Sequence, residues 1–271
     1  MPTQTEKAER FLTLHDSAQP LLMPNPWDRG SAALLASLGF EALATTSSGF
    51  AATLGRLDGA VSRDEAIGHA QWLAEGTDLP VSADLENCFA DDPAGVAETV
   101  RLAVAAGLAG CSVEDYAKRD ENPIYDHALA AERVAAAAEV AHSGPVHLVL
   151  TARAENYLRG KPYLADTITR LQSYQEAGAD VLFAPGVTKP EEIRELVASV
   201  DRPVNVLALP GTPPVAELAA MGVKRISIGG AFAFYALDAL AHAAREFREH
   251  GSYGYWDRVR SGAAAARAAF G

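Results

Sequence analysis

The chain has 271 residues, 49% of them hydrophobic, with 23 basic and 35 acidic side chains and a formal net charge of −12. This acidic balance, without any basic run, excludes a nucleic-acid-binding protein, and the lack of a long apolar stretch excludes a membrane-spanning one. Two cysteines make no disulfide scaffold, and the amino-terminal residues lack an apolar signal segment, so we expect a cytoplasmic protein.

Apolar segments and helical patterns alternate along the whole chain. The apolar segments predict eight strands, at 21–24, 42–46, 80–86, 110–114, 146–153, 181–184, 203–208 and 225–228. The helical patterns between them lie at 6–15, 30–38, 63–75, 93–106, 128–142, 164–177, 190–198 and 214–221. Strands that are apolar on both faces and alternate with helices indicate a parallel sheet. Eight such units predict an α/β fold, a (β/α)8 TIM-type barrel; the rival doubly wound fold lacks its Gly-x-Gly-x-x-Gly motif.

The chain continues beyond the eight strand–helix units. Residues 231–248 complete the eighth helix, and an alanine-rich pattern over 256–269 predicts one more. No strand remains for that helix to cover. We therefore predict a single domain, 1–271, whose residues 251–271 form a C-terminal oligomerisation helix that packs on a neighbouring subunit.

Acidic residues gather at the predicted carboxyl ends of the strands, where the active sites of such barrels lie. Asp84 and Glu86 end the third strand two positions apart, so we expect them to share one face, and Glu114 ends the fourth. Together with Asp58, these carboxylates repel one another unless they share a cation or a proton. Oxygen ligands favour Mg²⁺, with Mn²⁺ as the alternative, over zinc, which prefers His and Cys.

Other polar side chains at the same strand ends suit a small organic acid. Arg153 can hold a carboxylate bidentately, and Thr46, Ser47 and Ser48 offer hydroxyl groups to an oxyanion. A Mg²⁺ ion chelated by a 2-oxo acid would stabilise the enolate that forms when a neighbouring bond breaks. The remaining candidates are interpreted as buried or surface residues without a chemical role: Cys88, Cys111, His127, His142 and His147.

Several short motifs occur in a fixed order along nearly the whole chain. They are Pro24-Asn25-x-Trp27-Asp28, Thr-Ser-Ser-Gly ahead of Leu54-Gly55-x-x-Asp58, Asp84-x-Glu86, Val113-Glu114-Asp115 and Ala152-Arg153-x-Glu155. In this combination the chain resembles the isocitrate lyase/phosphoenolpyruvate (PEP) phosphomutase superfamily. The resemblance implies a (β/α)8 barrel, Mg²⁺ and a 2-oxo-acid or enolate intermediate. It also implies a C-terminal helix swapped between subunits of a homo-oligomer, a dimer or a dimer of dimers.

The resemblance also assigns roles to individual residues. The metal shell would be Asp58, Asp84, Glu86 and Glu114. The substrate would be bound by Trp27, Thr46, Ser47, Ser48, Asp84, Arg153 and Asn205, with Asn205 as a second carboxylate contact. The catalytic set would be Arg153, Glu114, Lys118 and Asn122.

Two departures from the superfamily pattern limit the assignment. The usual Asp-x-Asp-x-Gly is here Asp84-x-Glu86-x-Cys88, which lengthens one arm of the metal shell. The lyase branch carries a Lys-Lys/Arg-Cys-Gly-His motif after the fourth strand, and the corresponding stretch, 116–123, has no cysteine. Phosphomutase-like members use Lys and Asn in this loop, and Lys118 and Asn122 are the candidate counterparts.

Three hypotheses for function follow. The first is a Mg²⁺-dependent C–C bond lyase, or a related hydrolase or decarboxylase, acting on a small 2-oxo or 2-hydroxy di- or tricarboxylate. The second is a P–C bond enzyme of the phosphonopyruvate or phosphoenolpyruvate type. The third is a non-catalytic barrel that binds a 2-oxo acid. The sequence leaves open which acid is bound, the general acid or base in loop 116–126, and the choice between dimer and tetramer.

Overall fold

The computed structural model describes residues 2–118, 121 and 123–271. Its strands alternate with helices, as predicted. In the described chain they are β1 (Leu21–Met23), β2 (Leu43–Ala44), β3 (Val81–Asp84), β4 (Gly110–Glu114), β5 (Val149–Arg153), β6 (Val181–Phe183), β7 (Val204–Leu207) and β8 (Arg225–Ser227).

All neighbouring strands in the sheet are parallel, in the order β1-β8-β7-β6-β5-β4-β3-β2. The two ends of this sheet meet, because Ala44 N–H donates to the Pro24 carbonyl at 3.1 Å. The side chain of Asn25 reinforces the seam: its amide donates to the Thr45 carbonyl (2.9 Å), and its oxygen accepts from Ile228 N–H (3.1 Å). The predicted (β/α)8 barrel is therefore confirmed.

The helices pack around this barrel. They are α1 (Gln4–Leu14), α2 (Arg29–Ser37), α3 (Ser47–Thr53), α4 (Arg63–Glu75), α5 (Pro93–Ala105), α6 (His127–His142), α7 (Leu164–Glu176), α8 (Pro190–Ala198), α9 (Val215–Ala220), α10 (Ala231–His250) and α11 (Trp256–Phe270).

Local sequence signals set the helix boundaries. Asp28 caps α2, since its side chain accepts from Ser31 N–H at 2.6 Å, and Ser62 and Glu65 form a capping box on α4. Gly178 follows α7 with φ +106°, a left-handed conformation that favours glycine. One helix was not predicted: α3, which begins at Ser47 inside the Thr-Ser-Ser-Gly run and is capped by Thr46.

Apolar side chains are concentrated between the strands and the outer helices. Outward-facing strand residues such as Val113, Leu150 and Leu182 pack there in one large buried cluster. A second cluster, around Phe11 of α1, closes the amino-terminal end of the barrel. The carboxyl end is left open to solvent and is lined by polar groups, and this asymmetry places the candidate site.

The carboxyl-terminal helix α11 packs against α2 of the same chain. Its exchange between subunits stays a prediction. Large apolar side chains on α10 and α11 are nevertheless exposed, among them Tyr235 (68%), Leu240 (66%) and Trp256 (54%). Among the described helices, none combines the length and the apolar character needed to cross a membrane.

Candidate active site

Two adjoining cavities open at the carboxyl end of the barrel. The inner cavity, about 190 Å³, lies within the barrel and is lined by residues that include Thr46, Asp84 and Asn205. The outer cavity, about 560 Å³, is lined by residues that include Glu86 and Lys118. Three residues line both cavities: Ser47, Asp58 and Arg153.

Arg153, the last residue of β5, forms the centre of this site. Its Nη1 donates to Asp84 at 2.8 Å, and its Nη2 lies 3.1 Å from Glu114 and 2.7 Å from Glu155. Burial opposes the charge of the guanidinium, but the carboxylates of Glu155, Glu114 and Asp84 outweigh it and raise the pKa of Arg153 well above its ordinary value. The arginine is therefore a permanent cation at the mouth.

Asp84 ends β3 and is fixed from three sides. One oxygen accepts from Arg153, and the other accepts from Ser47 N–H at 3.1 Å. The Asp84 N–H donates to the Thr45 hydroxyl at 2.8 Å. These bonds place the amino end of α3, with Thr46, Ser47 and Ser48, beside the inner cavity.

Glu114, at the end of β4, is almost completely buried and bonded to Arg153. Burial raises the pKa of its carboxyl group well above the ordinary value, although the charge of Arg153 opposes the shift. A proton or a further cation therefore stabilises this carboxylate.

Glu86 does not continue the strand. β3 ends at Asp84, and Glu86 adopts a left-handed φ of +50° in the turn that follows. The prediction that strand alternation places both side chains on one face is therefore wrong, because the chain leaves the sheet between them. Glu86 lines the outer cavity, whereas Asp84 lines the inner one.

Lys118 reaches Glu86 from the loop after β4. Its Nζ lies 2.5 Å from Glu86 Oε2, and it also lies over the ring of Phe89, 5.5 Å from the centroid. Burial raises the pKa of the Glu86 carboxyl, and the hydrogen bond and charge of Lys118 oppose this. The two side chains therefore form an ion pair at the rim of the outer cavity.

The turn after β3 also explains one departure from the superfamily pattern. Cys88 adopts φ +57°, a left-handed conformation that glycine enters without strain. Glycine in the usual motif suits this backbone. The side chain of Cys88 is fully buried, and burial raises the pKa of its thiol to about 12. Cys88 is thus a packing residue, as interpreted from the sequence.

The inner cavity extends down to a buried cation that sequence analysis missed. Arg225, the first residue of β8, donates from Nη2 to the Thr151 hydroxyl at 3.0 Å, while its Nε has no partner. Burial and the charge of Arg153 lower the pKa of Arg225 to about 9, which leaves it charged at neutral pH. The Asn205 amide donates to Ser227, and its oxygen has no partner. The sequence signal that could have identified Arg225 is a basic residue at an inward-facing position of an otherwise apolar strand.

Other candidates lie elsewhere. Trp27 lines neither mouth cavity; its carbonyl accepts from His69, and its ring faces a groove beside α4. Asp115 points away from the mouth, where it is bonded to Tyr174 (2.6 Å) and Arg170 (3.1 Å) and acts as a structural ion pair. Asn122 lies outside the described residues.

The donor set at the mouth fits a divalent cation held partly through water. The two cavities are lined by five carboxylates, Asp58, Asp84, Glu86, Glu114 and Glu155, and by four basic side chains, Lys118, Arg153, Arg159 and Arg225. Among the described residues, no three of the predicted ligands have donor atoms all within 4.8 Å of one another. One or two direct carboxylates completed by water molecules is the coordination that Mg²⁺ prefers.

Comparison with known proteins decides the family. A family model described as phosphoenolpyruvate phosphomutase matches residues 11–248. The chain belongs to this family. It is an enzyme of the isocitrate lyase/PEP mutase superfamily, as the motifs predicted. Lyases and mutases of the superfamily are typically Mg²⁺-dependent and bind small carboxylates.

Three similar proteins illustrate the relationship. A Burkholderia cenocepacia J2315 protein of known structure, provisionally assigned as a lyase/mutase, is 49% identical, with a TM-score of 0.91 and coverage of 93% of this chain and 91% of that one. An uncharacterised Mycobacterium tuberculosis H37Rv protein is 35% identical over 87% of each chain. A Corynebacterium glutamicum protein, provisionally assigned as 2-methylisocitrate lyase 2, is 30% identical over 75% of this chain and 66% of its own.

Proposed function

We propose that the chain is a Mg²⁺-dependent C–C bond lyase, or a related hydrolase or decarboxylase, acting on a small 2-oxo or 2-hydroxy di- or tricarboxylate. The observation that carries the proposal is Arg153, a partly buried cation placed between an oxygen-donor cluster and a polar cavity. The 2-methylisocitrate lyase assignment of the Corynebacterium relative agrees with it.

Substrate binding involves both cavities in this proposal. Arg153 Nη1, which now bonds to Asp84, becomes available to a substrate carboxylate when Asp84 turns towards a cation. Thr46, Ser47 and Ser48 present hydroxyl groups to the same space. A second carboxylate would be received by Asn205, with the charge of Arg225 beneath it. Two separated cationic positions in one cavity favour a substrate with more than one carboxylate.

The mouth carboxylates would hold the metal. Asp58, Asp84, Glu86 and Glu114 remain the proposed shell, partly through water, and the bound ion would supply Lewis acidity to negative charge developing on a substrate oxygen. Glu114 has a second role in the proposal, because its bond to Arg153 Nη2 fixes the plane of the guanidinium.

The proton transfer is assigned to Lys118. When the C–C bond of a 2-hydroxy acid breaks, its hydroxyl proton passes to one of the mouth carboxylates and that fragment leaves with a new carbonyl group, while the other fragment, an enolate, takes a proton on carbon. The Nζ of Lys118 lines the outer cavity and can donate that proton, and Glu86 at 2.5 Å stabilises its charged form. Asn122 remains a proposed partner in the same loop.

The test is turnover of a panel of acids with Mg²⁺: oxaloacetate, isocitrate, 2-methylisocitrate and a dialkylmalate. We expect cleavage of one of them, loss of activity with EDTA and recovery on adding Mg²⁺. Arg153→Lys keeps the charge but loses the planar fork, and we expect kcat/KM to fall by about 10²-fold or more. Arg101→Ala, an exposed arginine paired with Glu98, is the control. Turnover that is unchanged by EDTA or by Arg153→Lys would refute the proposal, as would inertness to the whole panel.

A second candidate is the P–C bond chemistry of the family model's namesake, favoured by the position of Lys118 at the outer cavity. Phosphonopyruvate followed by ³¹P NMR distinguishes the two. A new phosphorus resonance that depends on Lys118 supports this candidate, and an unchanged spectrum removes it.

We further propose a cytoplasmic homo-oligomer, a dimer or dimer of dimers, in which the exposed apolar residues of α10 and α11 are covered and α11 is exchanged within the single 1–271 domain. Light scattering after size exclusion gives the mass. Leu240→Asp is expected to lower it, and Tyr163→Asp, an equally exposed residue (69%) at the start of α7, which packs on α6 and α8, is the control. A monomeric wild type would contradict the proposal.

A further inference from the structure

Two histidines and one aspartate meet at the amino-terminal end of the barrel, opposite the candidate active site. His142 is the last residue of α6, His147 lies two residues before β5, and Asp180 immediately precedes β6. Sequence analysis assigned both histidines to surface or packing roles. Their distance along the chain from Asp180 hid the cluster, which only the folded barrel assembles.

The three side chains bring one potential ligand atom each to the same place. The Nε2 of His142 lies 3.0 Å from one oxygen of Asp180, and the Nε2 of His147 lies 3.0 Å from the other. The two imidazole rings are stacked at 4.1 Å with an angle of 9° between their planes. One ligand atom from each residue lies within 4.8 Å of the other two, an arrangement that the described chain contains nowhere else among His, Cys, Asp and Glu.

The surroundings hold this set in place and leave one side open. Asp180 is buried, and its carboxylate also accepts from the Leu150 N–H at 2.8 Å, which fixes its orientation. The His142 and His147 side chains are 27% and 41% exposed, so water can complete a coordination sphere.

We propose that His142, His147 and Asp180 bind one transition-metal ion of the zinc class, with water in the remaining positions. Two imidazole nitrogens and one carboxylate oxygen are a borderline-soft donor set, which selects Zn²⁺ and its neighbours rather than Mg²⁺. The carboxylates of the candidate active site favour Mg²⁺ instead. The ion would join the end of α6 to the starts of β5 and β6, a stabilising role independent of the proposed reaction.

The test is Zn²⁺ binding by isothermal titration with Mg²⁺ in excess, so that the mouth carboxylates are occupied. We expect one Zn²⁺ per chain in wild type, weaker by about tenfold or more in His142→Ala and in His147→Ala. His127→Ala is the matched control, because His127 begins the same helix and bonds Ser173 outside the cluster. X-ray absorption of the Zn²⁺ complex is expected to show imidazole scattering that His147→Ala reduces.

Two results would overturn the site. One is a wild type that takes up no Zn²⁺ under these conditions. The other is Zn²⁺ uptake that is the same in wild type and in both alanine variants, which would place the ion elsewhere. Melting temperatures of the metal-free variants establish that they are folded, and Zn²⁺ is expected to raise the melting temperature of wild type and His127→Ala more than that of His142→Ala and His147→Ala.

Discussion

Arg153 on β5 donates a hydrogen bond to Asp84 on β3 at 2.8 Å, reaching across the end of β4. Glu114, which ends β4, bonds to the same guanidinium. Three consecutive strands therefore present their last side chains to one another. The spacing of these groups is fixed by the sheet rather than by mobile loops, which is how a barrel positions reactive groups accurately.

Glu114 and Asp115 are adjacent in sequence but have different roles. Replacing each carboxylate by its isosteric amide distinguishes these roles. In Glu114→Gln we expect stability close to wild type, because Arg153 keeps two other carboxylate partners, Asp84 and Glu155. Turnover should fall sharply. In Asp115→Asn we expect a loss of about 3 kcal/mol, because the buried Arg170 loses its buried carboxylate partner and keeps only the half-exposed Asp166. Urea unfolding and initial rates measure both effects. An unstable Glu114→Gln with normal specific activity would reverse the assignment.

Lys118→Met tests the proposed proton donor. The substitution keeps an apolar side chain over Phe89 but removes the ammonium group, so we expect kcat to fall by about 10²-fold or more with little change in melting temperature. Lys189→Met, an exposed lysine paired with Glu192, is the control. Full activity in Lys118→Met would assign the proton transfer to another group.

Substitutions of Cys88 test backbone strain at a position that has no proposed role in catalysis. Cys88→Ala loses buried volume and keeps the left-handed backbone, and we expect it to destabilise the protein by about 1 kcal/mol. Cys88→Gly also loses the contacts of the Cβ but relieves strain of about 1 kcal/mol, so we expect the glycine variant to be at least as stable as the alanine variant. Chemical denaturation ranks the two. Both are expected to retain turnover, and loss of activity in both would indicate a catalytic thiol.

His15 links stability to acid pH. Burial, with the nearby charge of Arg225, lowers the pKa of His15 to about 4 from an ordinary value of 6.5. Between these values the unfolded chain binds the proton and the folded chain does not, so the free energy of unfolding falls as pH drops from 6.5 to 4. The full effect is about 3 kcal/mol. We expect His15→Gln to flatten this part of the curve and His250→Gln, an exposed control, to leave it unchanged. Parallel curves for wild type and His15→Gln would contradict the assignment.

The barrel and most of its helices could be predicted because each strand and helix carries its own periodic signal. Helix α5 illustrates this: Asp92 and Pro93 mark its start, and its predicted and observed ends differ by one residue. Helix α3 was missed because Thr46 and Ser47 are typical of loops as well as of helix starts. The sequence carries no other helical signal there, and the bond from Ser47 N–H to Asp84 comes only from the folded barrel.

The residues of the site were predictable where strands end and unpredictable where turns begin. Arg153 and Asp84 lie at their predicted strand ends. Glu86 is displaced because its left-handed backbone cannot be inferred from strand alternation. Arg225 was missed because it enters the cavity from the start of its strand, below the mouth. The roles of these residues in binding and catalysis stay predictions.

At the seam between β1 and β2, the two strands are joined differently from the other neighbouring strands of the barrel. The backbone bond from Ala44 to Pro24 and the bond from the Asn25 amide to the Thr45 carbonyl join β1 to β2, whereas the other neighbouring strands are joined by ladders. Asn25 also lines the inner cavity, beside Thr45 and Thr46. A ligand bound in that cavity would therefore add contacts where the strands of the wall are joined by the fewest hydrogen bonds. We expect a ligand in the cavity to slow amide hydrogen exchange at Ala44, because local opening of the barrel and ligand binding involve the same residues.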